Sequence, residues 1–155
     1  MGRTNKIVQN IANILQDDGY LYNLYGKPSL SQDMINNMLT WDLLQKGDKV
    51  CLQDIKNLYA ALPKVGDKAK IKRGVVKQLD FLDYDLMLGY DDLVLHYGMI
   101  APKETTPRDM LNVSKEDRLY MDALKRRGET FDAPRIDIST IHAMKGGEDD
   151  NIILM

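Results

Sequence analysis

Segments with strand character lie near the two ends of this chain, and the long stretch between them has helical character. Residues 20–26, "YLYNLYG", are rich in aromatic residues and end at a glycine turn, whereas "RIDIS" at 135–139 alternates apolar and polar residues. The closing "NIILM" is a continuous apolar run of the kind found in buried parallel strands. We therefore expect an α/β fold in which the two ends form a parallel sheet around a mainly α-helical middle.

Apolar periodicity also predicts where the helices lie. A stripe of apolar residues predicts a helix from about Lys6 to Asp18 that stops at Gly19, with residues 1–5 as a loop before it. Ser29 and Gln32 have capping-box spacing, which predicts that the second helix begins there, with Ile35, Met38, Leu39 and Leu43 on one side. Further helices are predicted at 54–62, after Lys70, near 91–97, from Pro107 and at 115–127, the last with Leu119, Tyr120 and Leu124 as its apolar face.

The composition limits the classes of protein that the chain can belong to. At 155 residues it has the size of one ordinary domain, and its single cysteine, Cys51, rules out a disulfide within the chain. No apolar run approaches the roughly 20 residues that a membrane span needs, so we expect no membrane partner and a cytoplasmic location. The net charge of −2 indicates that any contact with nucleic acid is local. We expect Cys51 to be a buried structural residue.

Several common site motifs are missing from the sequence. The only Gly-Lys pair, Gly26-Lys27, is followed by Pro28 and does not make a P-loop, and no GxGxxG fingerprint occurs. The two histidines have no zinc-protease spacing, and the acidic residues at 80–92 do not follow a calcium-loop pattern, so we expect no metal site and a solvated acidic face. The basic residues at 125–127 fit either a phosphate contact or the end of a helix.

The residues near the C-terminus carry a specific resemblance. "ISTIHAMKGGED" resembles motif V of the UvrD/Rep-like superfamily 1 helicases, whose pattern is approximately Thr-x-His-x-x-Lys-Gly-x-Glu between two strands. Thr140, His142, Lys145, Gly146 and Glu148 match that pattern. The sequence departs from it at Gly147 and Asp149, where bacterial members usually carry leucine and an aromatic residue, which is more similar to phage-type or divergent members.

The N-terminal residues resemble a second segment of the same helicases. That segment reads Arg-Thr/Ser-Asn, a helix, a glycine, a short strand and a glycine turn, and Arg3, Thr4, Asn5, Gly19 and Gly26 fall at the matching positions. In those enzymes the segment opens the second RecA-like motor domain, a helical insertion called 2B follows, and the chain returns to the motor domain before motif V.

The resemblance implies a domain organisation and an activity. Residues 1–28 and 134–155 would belong to the RecA-like motor domain 2A, and residues 29–133 would form a shortened, 2B-like helical insertion. The whole protein would be an ATP-dependent DNA helicase that uses ATP and Mg²⁺, with single-stranded DNA and the remaining helicase domains as its partners. The P-loop, the Mg²⁺ ligands and the arginine finger are missing from these residues, so we expect an inactive fragment without catalytic residues of its own.

The resemblance also assigns roles to particular residues. Contacts with single-stranded DNA would come from Arg3, Asn5, Thr140 and His142. The ATP ribose would be held by Glu148, and the backbone of Gly146 and Gly147 would pass close to the nucleotide phosphates. The alternative from another class is a non-enzymatic interaction or regulatory module of α/β and helical make-up, in which the motif V match is a chance loop.

Overall fold

A computed structural model describes residues 2–130 and 134–140, apart from the side chains of residues 2–4. The chain divides into two compact units: unit 1 comprises Met1–Ser29 and Ala123–Met155, and unit 2 comprises Leu30–Asp122. Helices and two small sheets occur among the described residues, which confirms the mixed α/β class expected from the sequence. The domain boundaries 1–28, 29–133 and 134–155 stay a prediction.

Unit 1 contains one helix and a three-stranded sheet. The helix α1, Gly2–Asp18, precedes the strands β1, Tyr22–Leu24, and β2, Lys27–Pro28, and the chain returns to this sheet with β5, Ile136–Ile138. The strand order is β2-β1-β5, so β1 is central, antiparallel to β2 and parallel to β5. The sheet therefore joins the N-terminal and C-terminal segments, as the strand patterns predict.

The helix α1 packs against β1 and β5 through a narrow apolar face. Val8 and Ala12 are buried, whereas Ile7 and Ile14 are 44% and 59% exposed. The helix begins at Gly2 rather than near Lys6, so the loop expected before it is wrong for residues 2–5. Apolar periodicity does not detect a polar first turn, and this segment contains no proline that would prevent helix formation.

The turn between β1 and β2 consists of Tyr25 and Gly26, with φ angles of 53° and 75°. A two-residue hairpin turn with positive φ at both positions has the twist that adjacent strands require. Glycine adopts this conformation freely, but a tyrosine does so at a steric cost of about 1–2 kcal/mol. The hairpin is closed at its far end by Ser29, whose Oγ accepts a 3.1 Å hydrogen bond from the Tyr22 amide.

Gly19 ends α1 at a point where the backbone of another segment of unit 1 comes very close. Its φ is 75°, and a Cβ atom at this position would overlap the carbonyl group of Ala123. A glycine is therefore required here both for the left-handed conformation and for the close approach.

Unit 2 is mainly helical and holds a two-stranded antiparallel sheet. Its elements are α2 (Gln32–Lys46), β3 (Val50–Cys51), α3 (Leu52–Ala61), a 3-10 helix (Val75–Phe81), β4 (Met87–Leu88), α4 (Tyr90–His96), α5 (Pro107–Met110) and most of α6 (Lys115–Arg127). The strand β3 pairs with β4 through Val50 with Leu88 and Cys51 with Met87. The helix expected after Lys70 is a short 3-10 helix, Val75–Phe81, and none of the described residues between α3 and α4 forms an α-helix.

The helix α2 begins two residues later than the capping-box pattern predicts. Its N-cap is Ser31, whose side chain accepts a hydrogen bond from the Met34 amide, while Ser29 bonds to β1. Gly47 ends the helix in the left-handed conformation with φ 93°. The buried face of α2 carries Ile35, Asn37, Met38, Thr40, Trp41 and Leu44. The assignment of Leu39 and Leu43 to that face is wrong, because both side chains are 41% exposed.

The core of unit 2 is organised by aromatic side chains that also satisfy backbone carbonyls. Trp41 is fully buried, and its Nε1 donates a 2.7 Å hydrogen bond to the carbonyl of Thr105. Tyr59 is also fully buried and donates to the carbonyl of Tyr97 at 2.9 Å, and burial raises its pKa above the ordinary tyrosine value. Large aromatic groups bury much apolar surface, and each polar tip needs a partner, which these carbonyls supply.

Two further expectations need correction in unit 2. Cys51 is half-buried rather than buried, since it occupies the N-cap position of α3, where its Sγ donates to Asp54 Oδ2 at 3.1 Å. The helix α6 spans the predicted range, with Tyr120 and Leu124 buried as expected, but Leu119 is 61% exposed. The buried residues of this helix are Tyr120, Met121, Ala123 and Leu124, and at about 100° per residue Leu119 lies outside the arc that they occupy.

Among the described residues, no helix has both the length and the apolar character needed to cross a membrane.

Candidate functional site

The best-defined polar arrangement in unit 1 lies at the carboxyl ends of β1 and β5. These strands run parallel, with Tyr22 opposite Ile136 and Leu24 opposite Ile138, so both end at the same edge of the sheet. Tyr25 directly follows β1, and its amide donates a 3.0 Å hydrogen bond to the carbonyl of Ile138. In open α/β sheets, ligands bind beyond the carboxyl ends of the strands, so this edge is a candidate ligand site.

Asn5 reaches the same edge from the first turns of α1. The hydroxyl of Tyr25 donates a 3.2 Å hydrogen bond to Asn5 Oδ1. Within the described part of the chain, Asn5 Nδ2 has no hydrogen-bond acceptor, and the side chain is exposed. An exposed carboxamide nitrogen offers two N–H donors to a ligand, which suits phosphate oxygens or the acceptor atoms of a base.

Thr140 lies at the same edge from the side of β5. It follows Ile138 by two residues and is half-buried, as is Ser139 between them. Two hydrogen bonds connect Asn5 through Tyr25 to Ile138, which lies two residues before Thr140, although most of the sequence separates Asn5 from Thr140. Hydroxyl and carboxamide groups in this arrangement can bind the sugar-phosphate backbone of a single strand.

The remaining residues that the resemblance assigns are placed only in part. Arg3 is in the first turn of α1, near Asn5 in sequence, and its side chain is outside the described residues. His142, Gly146, Gly147 and Glu148 also lie outside the described residues, as does the strand expected at 151–155. The DNA contact of His142 and the nucleotide contacts of the other three stay predictions.

The charges near this edge are suited to an anion. Lys6 adjoins Asn5, and Lys27 follows the turn at Tyr25 and Gly26; both lysines are exposed, and neither has an ion-pair partner among residues 2–130 and 134–140. Burial raises the pKa of the Tyr22 phenol in β1 above its ordinary value. Two exposed lysines beside hydrogen-bond donors favour binding of phosphate groups.

The basic end of α6 is a different case. The guanidinium of Arg127 stacks over the ring of Tyr20 and also donates to its hydroxyl. This pairing occupies Arg127 within unit 1, which favours the helix-end interpretation over a phosphate contact for this residue. Lys125 and Arg126 are exposed.

Unit 2 contains a shallow groove of about 310 Å³. It lies between α2, α3 and the segment after α5, and its lining includes Asp33, Asn37, Ala61 and Asn112. Asn37, on the buried face of α2, is 6% exposed and also lines this groove. Nothing at this groove resembles a reactive cluster, because its one charged lining residue is Asp33.

Tyr25 is the contributor to the candidate site that sequence reasoning missed. The pattern of residues 20–26 predicts a strand and a glycine turn but assigns no role to Tyr25, whereas in the structure Tyr22 is buried and Tyr25 is 45% exposed. The detectable signal is a tyrosine directly before a glycine in a two-residue hairpin turn, a position where asparagine or glycine is usual.

No cluster of three or more metal-ligating side chains occurs among the described residues. The donors of the candidate site are amide and hydroxyl groups, which suit a phosphate or a base better than a divalent cation. Comparison with protein-family models, with curated proteins and with solved structures finds no match for this chain.

Proposed function

We propose that this chain belongs to the second motor domain of a UvrD/Rep-like superfamily 1 DNA helicase and contributes contacts to single-stranded DNA. In this proposal unit 1 is part of a RecA-like sheet, and unit 2 is a shortened helical insertion between its strands. The whole enzyme would couple ATP hydrolysis to movement along single-stranded DNA, and these residues would supply part of the grip on the strand.

One observation carries the proposal. The two segments that resemble helicase motifs lie at opposite ends of the sequence, yet Asn5 is connected through Tyr25 to Ile138 at the end of β5, two residues before Thr140. A chance match in either segment would carry no expectation that the two lie together. The exposed lysines Lys6 and Lys27, which adjoin Asn5 and the Tyr25-Gly26 turn in sequence, add a physical reason for an anionic ligand.

Two substitutions, one in α1 and one after β5, test the proposed DNA contact. In the protein at its natural full length, Asn5→Ala and Thr140→Ala should each weaken binding of a fluorescently labelled thymidine oligonucleotide by about fivefold, since each removes one hydrogen bond to the strand. Fluorescence anisotropy titration at constant salt measures the affinity. Asn10→Ala is the matched control, because Asn10 is an exposed asparagine on the same helix.

Unchanged affinity in both variants would remove this edge from DNA binding and leave the interaction-module alternative in its place. The flanking coding sequence supplies an independent check. The proposal requires a P-loop of the form GxxxxGK[ST] upstream and an arginine-containing motif VI downstream. Coding sequence that contains neither motif would contradict the helicase assignment even if the oligonucleotide binds.

A further inference from the structure

Tyr25 occupies its turn position at a conformational cost that its neighbour Gly26 does not incur. Both residues have positive φ, but a bulky side chain in this region is unfavourable by about 1–2 kcal/mol, and asparagine or glycine would form the same turn more easily. Residues in such conformations persist where the surrounding structure holds them in place and occur often at functional sites. The ring is 45% exposed, so burial of the aromatic group is not the main compensation.

Two hydrogen bonds connect Tyr25 to both sides of the candidate site. Its amide donates to Ile138 at the end of β5, and its hydroxyl donates to Asn5 Oδ1 in α1. The bond holds Oδ1 toward Tyr25, so that Nδ2, which can only donate, is the branch of the carboxamide that does not contact Tyr25. The direction in which Asn5 presents its donors is therefore set by Tyr25.

We propose that Tyr25 is a positioning residue for Asn5, whose carboxamide it holds so that Nδ2 is presented as a donor to acceptor atoms of a single nucleic-acid strand. This inference rests on the proposed function of the same edge and adds a residue that the helicase resemblance does not assign. Without the Tyr25 hydroxyl, the exposed Asn5 side chain would rotate among several conformations, and fixing one of them on binding would cost entropy.

Tyr25→Phe tests the hydroxyl alone, because the variant keeps the ring and the turn. Anisotropy titration of the full-length protein with the labelled thymidine oligonucleotide should show affinity weakened by about fivefold. The double variant Tyr25→Phe/Asn5→Ala should bind no more weakly than Asn5→Ala, since Tyr25 acts through Asn5. Tyr84→Phe is the matched control: Tyr84 is 79% exposed, and its hydroxyl has no hydrogen-bond partner among the described residues.

Tyr25→Asn separates positioning from a purely structural role. Asparagine suits the left-handed turn better than tyrosine, so this variant should unfold at a higher urea concentration than the parent protein while it binds the oligonucleotide less tightly. If Tyr25 only shaped the hairpin, the better turn residue in Tyr25→Asn would raise the urea midpoint without weakening the affinity for the oligonucleotide.

The outcomes distinguish this inference from the proposed function. If Asn5→Ala weakens binding while Tyr25→Phe binds like the parent, the positioning role is overturned and the DNA contact stands. Additive losses in the double variant also overturn it, because they mean that Tyr25 touches the strand independently. If Asn5→Ala and Thr140→Ala leave the affinity unchanged, the proposed function itself fails.

Discussion

Gly19 allows a close contact between two backbone segments, which no other residue type permits. A Cβ atom there would overlap the carbonyl group of Ala123, whereas Gly128 has the same sign of φ with nothing near its Cβ position. Gly128→Ala should cost about 1 kcal/mol for the left-handed conformation alone. Gly19→Ala should cost about 3 kcal/mol, because backbone atoms must also move apart. Equal losses in urea unfolding would contradict the close approach.

At the level of secondary structure, the short helix α5 begins after its N-cap, Thr106, which forms a hydrogen bond with the carboxylate of Asp109. The hydroxyl of Thr106 donates to Asp109 Oδ2 at 2.8 Å, and the Asp109 amide lies 3.4 Å from Thr106 Oγ1. This hydrogen bond, followed by the charge of the neighbouring Arg108, lowers the pKa of Asp109 below its ordinary value. The carboxylate is thus stabilised in the folded chain.

The lowered pKa of Asp109 makes the stability of the folded chain depend on pH. A lowered pKa contributes stability above the ordinary aspartate pKa of about 3.9, and this contribution is lost as the pH falls toward the folded-state value. Urea midpoints measured from pH 6 down to pH 3 should therefore fall less steeply for Asp109→Asn than for the parent. Asp67→Asn, which removes an exposed carboxylate without a hydrogen-bond or ion-pair partner among the described residues, should fall as the parent does.

The elements differ in how far the sequence predicts them, and the physical reason is visible in α6 and α2. In α6, Ser114 bonds reciprocally with Asp117 and Gly128 follows the last turn, so local signals mark both ends, and the predicted bounds are confirmed. At the start of α2, Ser29 and Ser31 are both plausible N-caps in the sequence, and the structure uses Ser31. The buried face of this helix also includes the polar residues Asn37 and Thr40. A count of apolar residues alone cannot find a face that contains polar groups.

At the level of the whole chain, the sheet of unit 1 pairs segments that most of the sequence separates. β1 and β5 are recognisable as strands from local patterns, and their parallel pairing agrees with the expected α/β arrangement. The contacts within the candidate site could not be predicted in this way. The bond between Tyr25 and Asn5 depends on how α1 packs on the sheet, and no spacing in the sequence encodes that geometry.

Unit 2 contains the chain's single tryptophan, Trp41, fully buried and bonded to the carbonyl of Thr105. These 155 residues thus carry one natural indole fluorophore, and it lies in one of the two compact units. Intrinsic indole fluorescence reports on the surroundings of Trp41 in unit 2, whereas the proposed oligonucleotide contact near Tyr25 and Thr140 would belong to unit 1. Within this chain, changes in the core of unit 2 can therefore be followed with no dye attached and no residue replaced.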